Sequence, residues 1–377
     1  MIYLDHAATT ACAAEVVEAM MPFFREAFAN ASSVDHLPGT AARRSVDDAR
    51  ETVAELVGAK PEDVIFTSGS TEANNLALSF GGPVITTRVE HPSVLDPLAA
   101  RGRADDGFVS VDRLGRVVIE DLQERLARTR GTLVSIIATN NELGTEQDVE
   151  TLAKVIHDAS ALLHLDATQA VGTRAFEMRN TSGLVGISAS AHKIHGPKGI
   201  GALIAATPLR RALSPIMRGG GHERGFRSGT LNVPGIVGFG TAARLAIKKR
   251  RERRERLGTL RRRFLAMLRE SLDIRVVETV ADAPVSPHIL SIRLQGTNGR
   301  ALLRATRDEV AFSLGSACAT NKSEPSHVLV ALGLDKHAIA ETIRISFAAD
   351  QPVEEIERAA GILARAARSL SSYSLSA

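Results

Sequence analysis

Lysine is scarce in this chain. Only 8 of its 46 basic residues are lysine, and one of them follows a histidine among small residues in SASAHKIHGPKG (188–199). Where charge alone is wanted, the sequence writes arginine. A lysine in a small-residue turn can do what arginine cannot, which is lose its proton and act as an amine nucleophile. Lys193 and Lys198 are both candidates, and spacing does not choose between them. A second candidate is Asp166, which closes the apolar run of LLHLDATQA (162–170) and carries a carboxylate to a strand end. Such an aspartate can be a helix cap or an ion-pair partner. Against a ligand with a basic ring nitrogen, it would hold that nitrogen protonated. A third is TSGSTEANNLAL (67–78), where a strand ending in small hydroxyl and glycine residues runs straight into a helix. The N–H groups of that helix start, with the Ser70 and Thr71 hydroxyls, can cup an anion, although an ordinary capping turn reads the same way.

A phosphate cup, a strand-end carboxylate and a turn lysine together suit pyridoxal phosphate. That cofactor needs a lysine partner, an acid beside its pyridine nitrogen and an anion site. Two further stretches carry reactive or ligand-binding groups. GGGHERGFRSGT (219–230) offers close backbone approach through its glycines, with Arg227, Ser228 and Thr230 as anion contacts; alone it reads as a surface loop. Cys318 lies among Gly, Ser, Ala, Thr and Asn in LGSACATNKSEPS. A thiol in such a loop is a candidate nucleophile once ionised, whereas Cys12 leads into an amphipathic helix and is expected to pack.

The elements that must position these groups alternate. Short apolar runs at 64–67, 83–87, 108–111, 132–139, 162–166, 184–188 and 201–205 are separated by helix-period segments such as 148–160. This predicts an α/β domain with a largely parallel sheet covered on both faces. Ligands gather where the carboxyl ends of such strands open into loops, and most of the motifs above follow a strand. Around 244–263 the texture changes, with eleven Lys/Arg against two Glu. The run reads as the solvated face of a long helix with Leu245, Leu257, Leu260, Phe264 and Leu268 turned inward, or else as a patch for nucleic acid or an acidic partner. Strands at 288–294 and 343–348, with helices near 299–307 and 352–370, predict a smaller α+β domain. The expected division is 15–250 for the large domain, and 1–14 with 251–377 for the small one.

Bulk composition excludes several classes. The chain has 377 residues, 44% hydrophobic and 24% charged, with a formal charge of +3. Aromatics reach 4% without a tryptophan, which argues against stacking platforms for single-stranded nucleic acid. No apolar run approaches the ~20 residues that span a bilayer. The start, MIYLDHAATT, has no signal-peptide pattern, and two cysteines cannot build a disulfide framework or a thiolate metal site. A cytoplasmic, two-domain protein without a metal is expected.

In their order, TSGSTEANNLA, EHPSVLD, TNNELGT, HLDATQAVG, AHKIHGPKGIGAL, GGGHERGFRSGT and GSACAT resemble the group I cysteine desulfurases, the nitrogenase-type and iron–sulfur-cluster-type sulfur donors. The likeness runs from residue 2 to about 350. It implies the fold-type I, aminotransferase class V-like architecture and a homodimer that converts L-cysteine to L-alanine. Residue by residue, it implies Lys193 as the lysine bound to the cofactor. Ser70, Thr71, Ser190 and His192 fall on the phosphate contacts, with Thr230 reaching the partner subunit's cofactor. Asp166 matches the partner of the pyridine nitrogen, Gln169 the contact to the phenolic oxygen, and Asn141 a ring-side contact. His91 falls on the histidine stacked on the ring, with a role in proton transfer. Arg344 and Asn30 fall on the substrate carboxylate contacts, and Cys318 on the cysteine that receives sulfur as a persulfide.

Three segments depart from the family pattern: ANASSVDH (29–36) lacks a Gly and a Pro beside Asn30, ISFAA follows Arg344, and the chain stops at SLSSYSLSA. Iron–sulfur-cluster assembly, tRNA thiolation and DNA phosphorothioation are the acceptor pathways the resemblance admits. A selenocysteine lyase or an aminotransferase on the same fold is the alternative, distinguished by its indifference to Cys318.

Overall fold

A computed structural model of the chain describes residues 1–103, 106–272, 274–315 and 325–374, with side chains as far as 370. The described residues form twelve strands. They are β1 (Ile2–Tyr3), β2 (Val64–Thr67), β3 (Val84–Thr87), β4 (Gly107–Val109), β5 (Leu133–Ile137) and β6 (Leu162–Asp166). Then follow β7 (Leu184–Ser190), β8 (Gly201–Ala205), β9 (Val276–Glu278), β10 (Ile289–Leu294), β11 (Val310–Ala311) and β12 (Thr342–Ser346). The seven apolar runs of the first two thirds become one seven-stranded sheet in the order β2-β8-β7-β6-β5-β3-β4. Pairings from β7 through β4 are parallel, while β8 runs against both of its neighbours. The reason is the connection from β7 to β8, which is too short for the crossover that a parallel return requires. That short connection is the stretch holding His192 and Lys193.

Alternate residues of the strands serve opposite faces. Val134, Ile136, Leu165, Ile187 and Ile204 join one core, and Ile65, Val84, Leu133 and Leu203 join the other. The sheet is therefore covered on both sides, as its apolar runs require. A helix over Leu37–Leu56 closes one face together with a 38-residue helix over Val233–Glu270. They touch at Gly240, where a Cβ would sit 2.7 Å from that of Ala49.

The long helix also reaches a separate core, formed by Leu257, Leu260, Phe264 and Leu268 with Leu4, Leu290, Ile345 and Phe347. This second core is built on the antiparallel sheet β12-β10-β9 and the helix Val353–Ser374. The small parallel pair β1-β11 and strand β9 are additions to the elements read from sequence; each has only two or three residues, too few for a periodic signal. The basic run lies on this helix with its apolar residues turned inward and Lys248, Lys249, Arg251, Arg262 and Arg263 exposed, while other arginines are tied down. Leu245 is half-buried against the first core, Arg250 donates to Leu56 O, Arg254 pairs with Glu146, and Arg261 with Glu278. Among the described residues no helix is long and apolar enough to cross a membrane.

A polar rung crosses the sheet centre. His164 is fully buried, 2.9 Å from Ser135 Oγ through Nδ1 and 2.9 Å from Ser188 Oγ through Nε2. Burial lowers its pKa to about 4, although Asp166 pulls the other way. Unfolding would return it to about 6.5, so between those values the unfolded chain binds more protons and stability rises with pH. The melting temperature is expected to fall as pH drops from 6.5 toward 4. In His164→Gln that slope should flatten; an unchanged slope would show that His164 is not among the groups responsible.

Candidate active site

The parallel strands end their carboxyl sides together, and the candidate groups collect there. After β2, Gly69 enters the helix Ser70–Ala77 in extended backbone. Gly201 lies so close that a Cβ there would meet Gly69 Cα at 2.7 Å, so only glycine lets these backbones approach. Ser190, the last residue of β7, is buried beside Gly69. Ser70 is half-buried and Thr71 exposed, which leaves the start of the helix accessible to an anion. The glycine-rich loop is pinned to the same strand. Glu223 accepts from both Arg50 nitrogens, at 2.6 and 2.8 Å, and from Phe66 N at 2.8 Å. Arg227 contacts Glu72 at 3.0 Å, so its guanidinium already serves a carboxylate. Thr230 is exposed.

The turn after β7 positions His192 and Lys193. Lys193 Nζ donates to Ala8 O at 2.7 Å and to Ala7 O, and Lys198 is exposed. His192 Nδ1 lies 3.1 Å from Thr9 Oγ1, and burial first, then Lys193 and Lys198, lower its pKa to about 4. On the adjacent strand Asp166 is 3% exposed and accepts from Asn74 Nδ2 at 2.7 Å and from Thr168 N at 3.0 Å. An ionised carboxylate has about four acceptor positions, so capacity remains for a ring N–H. Gln169 donates to Ala7 O at 2.8 Å.

Asn74 was not among the residues singled out by sequence. Its amide gives one N–H to Asp166 and the other to Ser93 Oγ at 2.8 Å. Ser93 Oγ, already accepting, turns its own proton to His91 Nδ1 at 2.9 Å, which also accepts from Ser93 N at 3.1 Å. Two donors on Nδ1 put the proton of the neutral ring on Nε2. Burial lowers the pKa of His91, Asp166 opposes this, and Lys193 adds to it. The Asn74 amide thus aligns the carboxylate and, through Ser93 Oγ, adds to the Ser93 N–H in setting the tautomer of the histidine. Asn74 lies one turn beyond Ser70, the only signal that could have found it.

Arg344 on β12 is 2% exposed, donating to Asp5 Oδ1 at 2.7 Å and to Asn141 O at 2.9 Å, while its Nε has no partner. Asn141 is half-buried. Asn30 is exposed and accepts from Ser32 N at 2.9 Å, a local turn contact. Cys318 lies outside the described residues. The described residues on either side of it attach beside this site. Ser313 exchanges backbone bonds with Arg344 at 2.7 and 3.1 Å, and Ser326 Oγ donates to Glu142 at 2.6 Å.

This donor set fits pyridoxal phosphate. It offers a primary amine, a buried carboxylate with spare acceptor capacity, an accessible helix start for the phosphate, and a buried Thr168 hydroxyl without a partner. The family profile for aminotransferase class-V matches residues 2–359. The chain belongs to that family. Within it, the chain is 40% identical to "Cysteine desulfurase IscS" of Anaeromyxobacter sp. (strain Fw109-5), covering 98% of this chain and 93% of that one. It is also 40% identical to a "Cysteine desulfurase" of Frankia sp. (strain EuIK1), over 100% of this chain and 93% of that one. A solved NifS-like protein superposes with a TM-score of 0.87 at 31% identity, covering 98% of this chain and 99% of the other. This class-V enzyme is a pyridoxal-phosphate-dependent cysteine desulfurase of fold-type I, as the motif resemblance implied.

Proposed function

We propose that Lys193 is the residue that carries the cofactor and that the persulfide forms on Cys318. The observation that carries this reading is the meeting of Lys193, Asp166 and His91 at one end of the parallel strands. In that place Ser70, Thr71, Ser190 and His192 hold the phosphate, and Thr230 reaches the phosphate in the partner subunit's site of a homodimer. Asp166 would keep the pyridine nitrogen protonated, Gln169 would give an N–H to the phenolic oxygen, and Asn141 would serve as a ring-side contact. Bound there, the cofactor supplies an electron sink that labilises the α-proton of L-cysteine. Lys193 would take and return that proton, with His91, carrying its proton on Nε2, as a second group for proton transfer.

Arg344 and Asn30 hold the substrate carboxylate. The Cys318 thiolate attacks the sulfur of L-cysteine. The new S–S bond takes the sulfur, the Cβ–S bond breaks, and Cβ gains a proton to give alanine. The persulfide then passes its outer sulfur to an acceptor protein or to a reductant. Iron–sulfur-cluster assembly, tRNA thiolation and DNA phosphorothioation all use such an acceptor.

The test is a product balance. With pyridoxal phosphate, L-cysteine and a thiol reductant, the purified protein is expected to release alanine and sulfide in equal amounts. Pyruvate in place of alanine, or alanine without sulfide, would overturn the reading. Arg344→Lys retains the charge but not the planar fork. Loss of a charge-assisted hydrogen bond is expected to raise KM for L-cysteine by roughly 10- to 100-fold, with a smaller change in kcat. A variant with unaltered KM would remove Arg344 from the substrate site.

A further inference from the structure

Gln169 is held from a second side by a residue far away in sequence. His288, which immediately precedes β10, lies with Nε2 at 3.1 Å from Gln169 Oε1 and Nδ1 at 2.8 Å from Ser286 Oγ. Ser286 Oγ is in turn 3.1 Å from Thr173 Oγ1. The proton positions along this chain follow from one fixed point. Ala7 O can only accept, so the Gln169 atom 2.8 Å from it must be the amide nitrogen. The Gln169 oxygen therefore faces His288, and His288 Nε2 must carry a hydrogen to meet it.

A neutral imidazole has one N–H, so Nδ1 accepts and Ser286 donates to it. Burial, then Lys193, Arg254, Arg344 and His6, lower the His288 pKa to about 3, which keeps the ring in that neutral form. The chain runs in one direction: Thr173 to Ser286, Ser286 to His288, His288 to Gln169. Gln169 is left with a second N–H on the same nitrogen.

We propose that His288 is a positioning residue for the cofactor. By donating to Gln169 Oε1, it holds the amide so that an N–H, and not the carbonyl, meets the phenolic oxygen of pyridoxal phosphate. This rests on the assignment of Gln169 to that oxygen. It also gives the small sheet a say in the cofactor's electronics. His288 O accepts from Phe347 N at 2.9 Å, three residues beyond Arg344 on the neighbouring chain segment. The group that grips the substrate and the group that orients Gln169 thus share one sheet.

A donor to the phenolic oxygen withdraws electron density from it and so lowers the pH at which the bound cofactor's visible absorbance titrates. In His288→Leu, which cannot donate, the midpoint of that absorbance titration is expected to rise on the order of one pH unit, the size of one charge-assisted hydrogen bond. The dissociation constant for pyridoxal phosphate should rise with it. His288→Gln carries an amide N–H to the same place and is expected to restore both.

A wild-type midpoint in His288→Leu would overturn the proposal, as would equal shifts in both variants, since shape rather than the N–H would then matter. Should His288→Leu fail to fold, Ser286→Ala decides. Removing the donor to Nδ1 releases the tautomer, so a shift in the same direction supports the proposal and none overturns it. A wild-type protein without any cofactor absorbance would refute the cofactor assignment itself and take this inference with it. A normal wild-type band with unshifted variants refutes only the role of His288.

Discussion

Lys193→Ala is expected to lose the visible absorbance of covalently held cofactor and to reduce L-cysteine turnover by roughly 10⁴-fold, the upper end of what a positioned acid–base group contributes. Lys193→Arg should fare no better, because a guanidinium stays charged and cannot act as an amine nucleophile. The structure makes Lys198→Ala the matching control. Lys198 is exposed, whereas Lys193 reaches back to the carbonyls of Ala7 and Ala8, beside the Gln169 amide that shares Ala7 O. Turnover and absorbance should be close to normal in Lys198→Ala. The reverse pattern, with Lys198 indispensable and Lys193 replaceable, would transfer the role to the other lysine of the same motif.

Cys318→Ala is expected to abolish both sulfide release and alanine formation while leaving cofactor binding and its spectral response to L-cysteine intact. The dissociation follows from the proposed division of labour, in which the Lys193 side handles the α-proton and the Cys318 thiol handles sulfur. Cys12→Ala should be without consequence. Burial raises the Cys12 thiol pKa, only partly offset by Lys198, and the residue packs against the first core, so little reactive thiolate forms there. The neighbours of the Cys318 segment support the assignment. Ser313 on one side is paired with Arg344, and Ser326 on the other is held by Glu142. Sulfide release that survives in Cys318→Ala would mean the sulfur reaches the acceptor by another group.

Much of this protein is legible in one dimension because local rules govern it. The seven apolar runs become the seven strands of the main sheet, and Asp166 and Ser190 fall at strand ends. A lysine written into a turn of small residues is a local anomaly that needs no neighbour to be seen. The basic run at 244–263 was also legible as a helix from its inward leucines and Phe264. What composition could not say is that Arg250, Arg254 and Arg261 are tied to Leu56, Glu146 and Glu278. A charge count has no knowledge of which side of a helix meets a carbonyl.

The groups that orient the reactive ones were hidden for the same reason. Asp5 meets Arg344, His288 meets Gln169 and Asn74 meets Asp166. Each pair is brought together across separate elements, and none leaves a periodic or spacing signal. Sequence alone determined the fold class, the cofactor chemistry and the candidate residues, since these depend on residue type, strand period and motif order. Tertiary structure alone decided which carbonyls Lys193 meets, which nitrogen of His91 carries the proton and which partner aligns Asp166. Those outcomes depend on hydrogen-bond directions between buried groups, and such directions exist only once packing has excluded water and left each donor a single acceptor to satisfy.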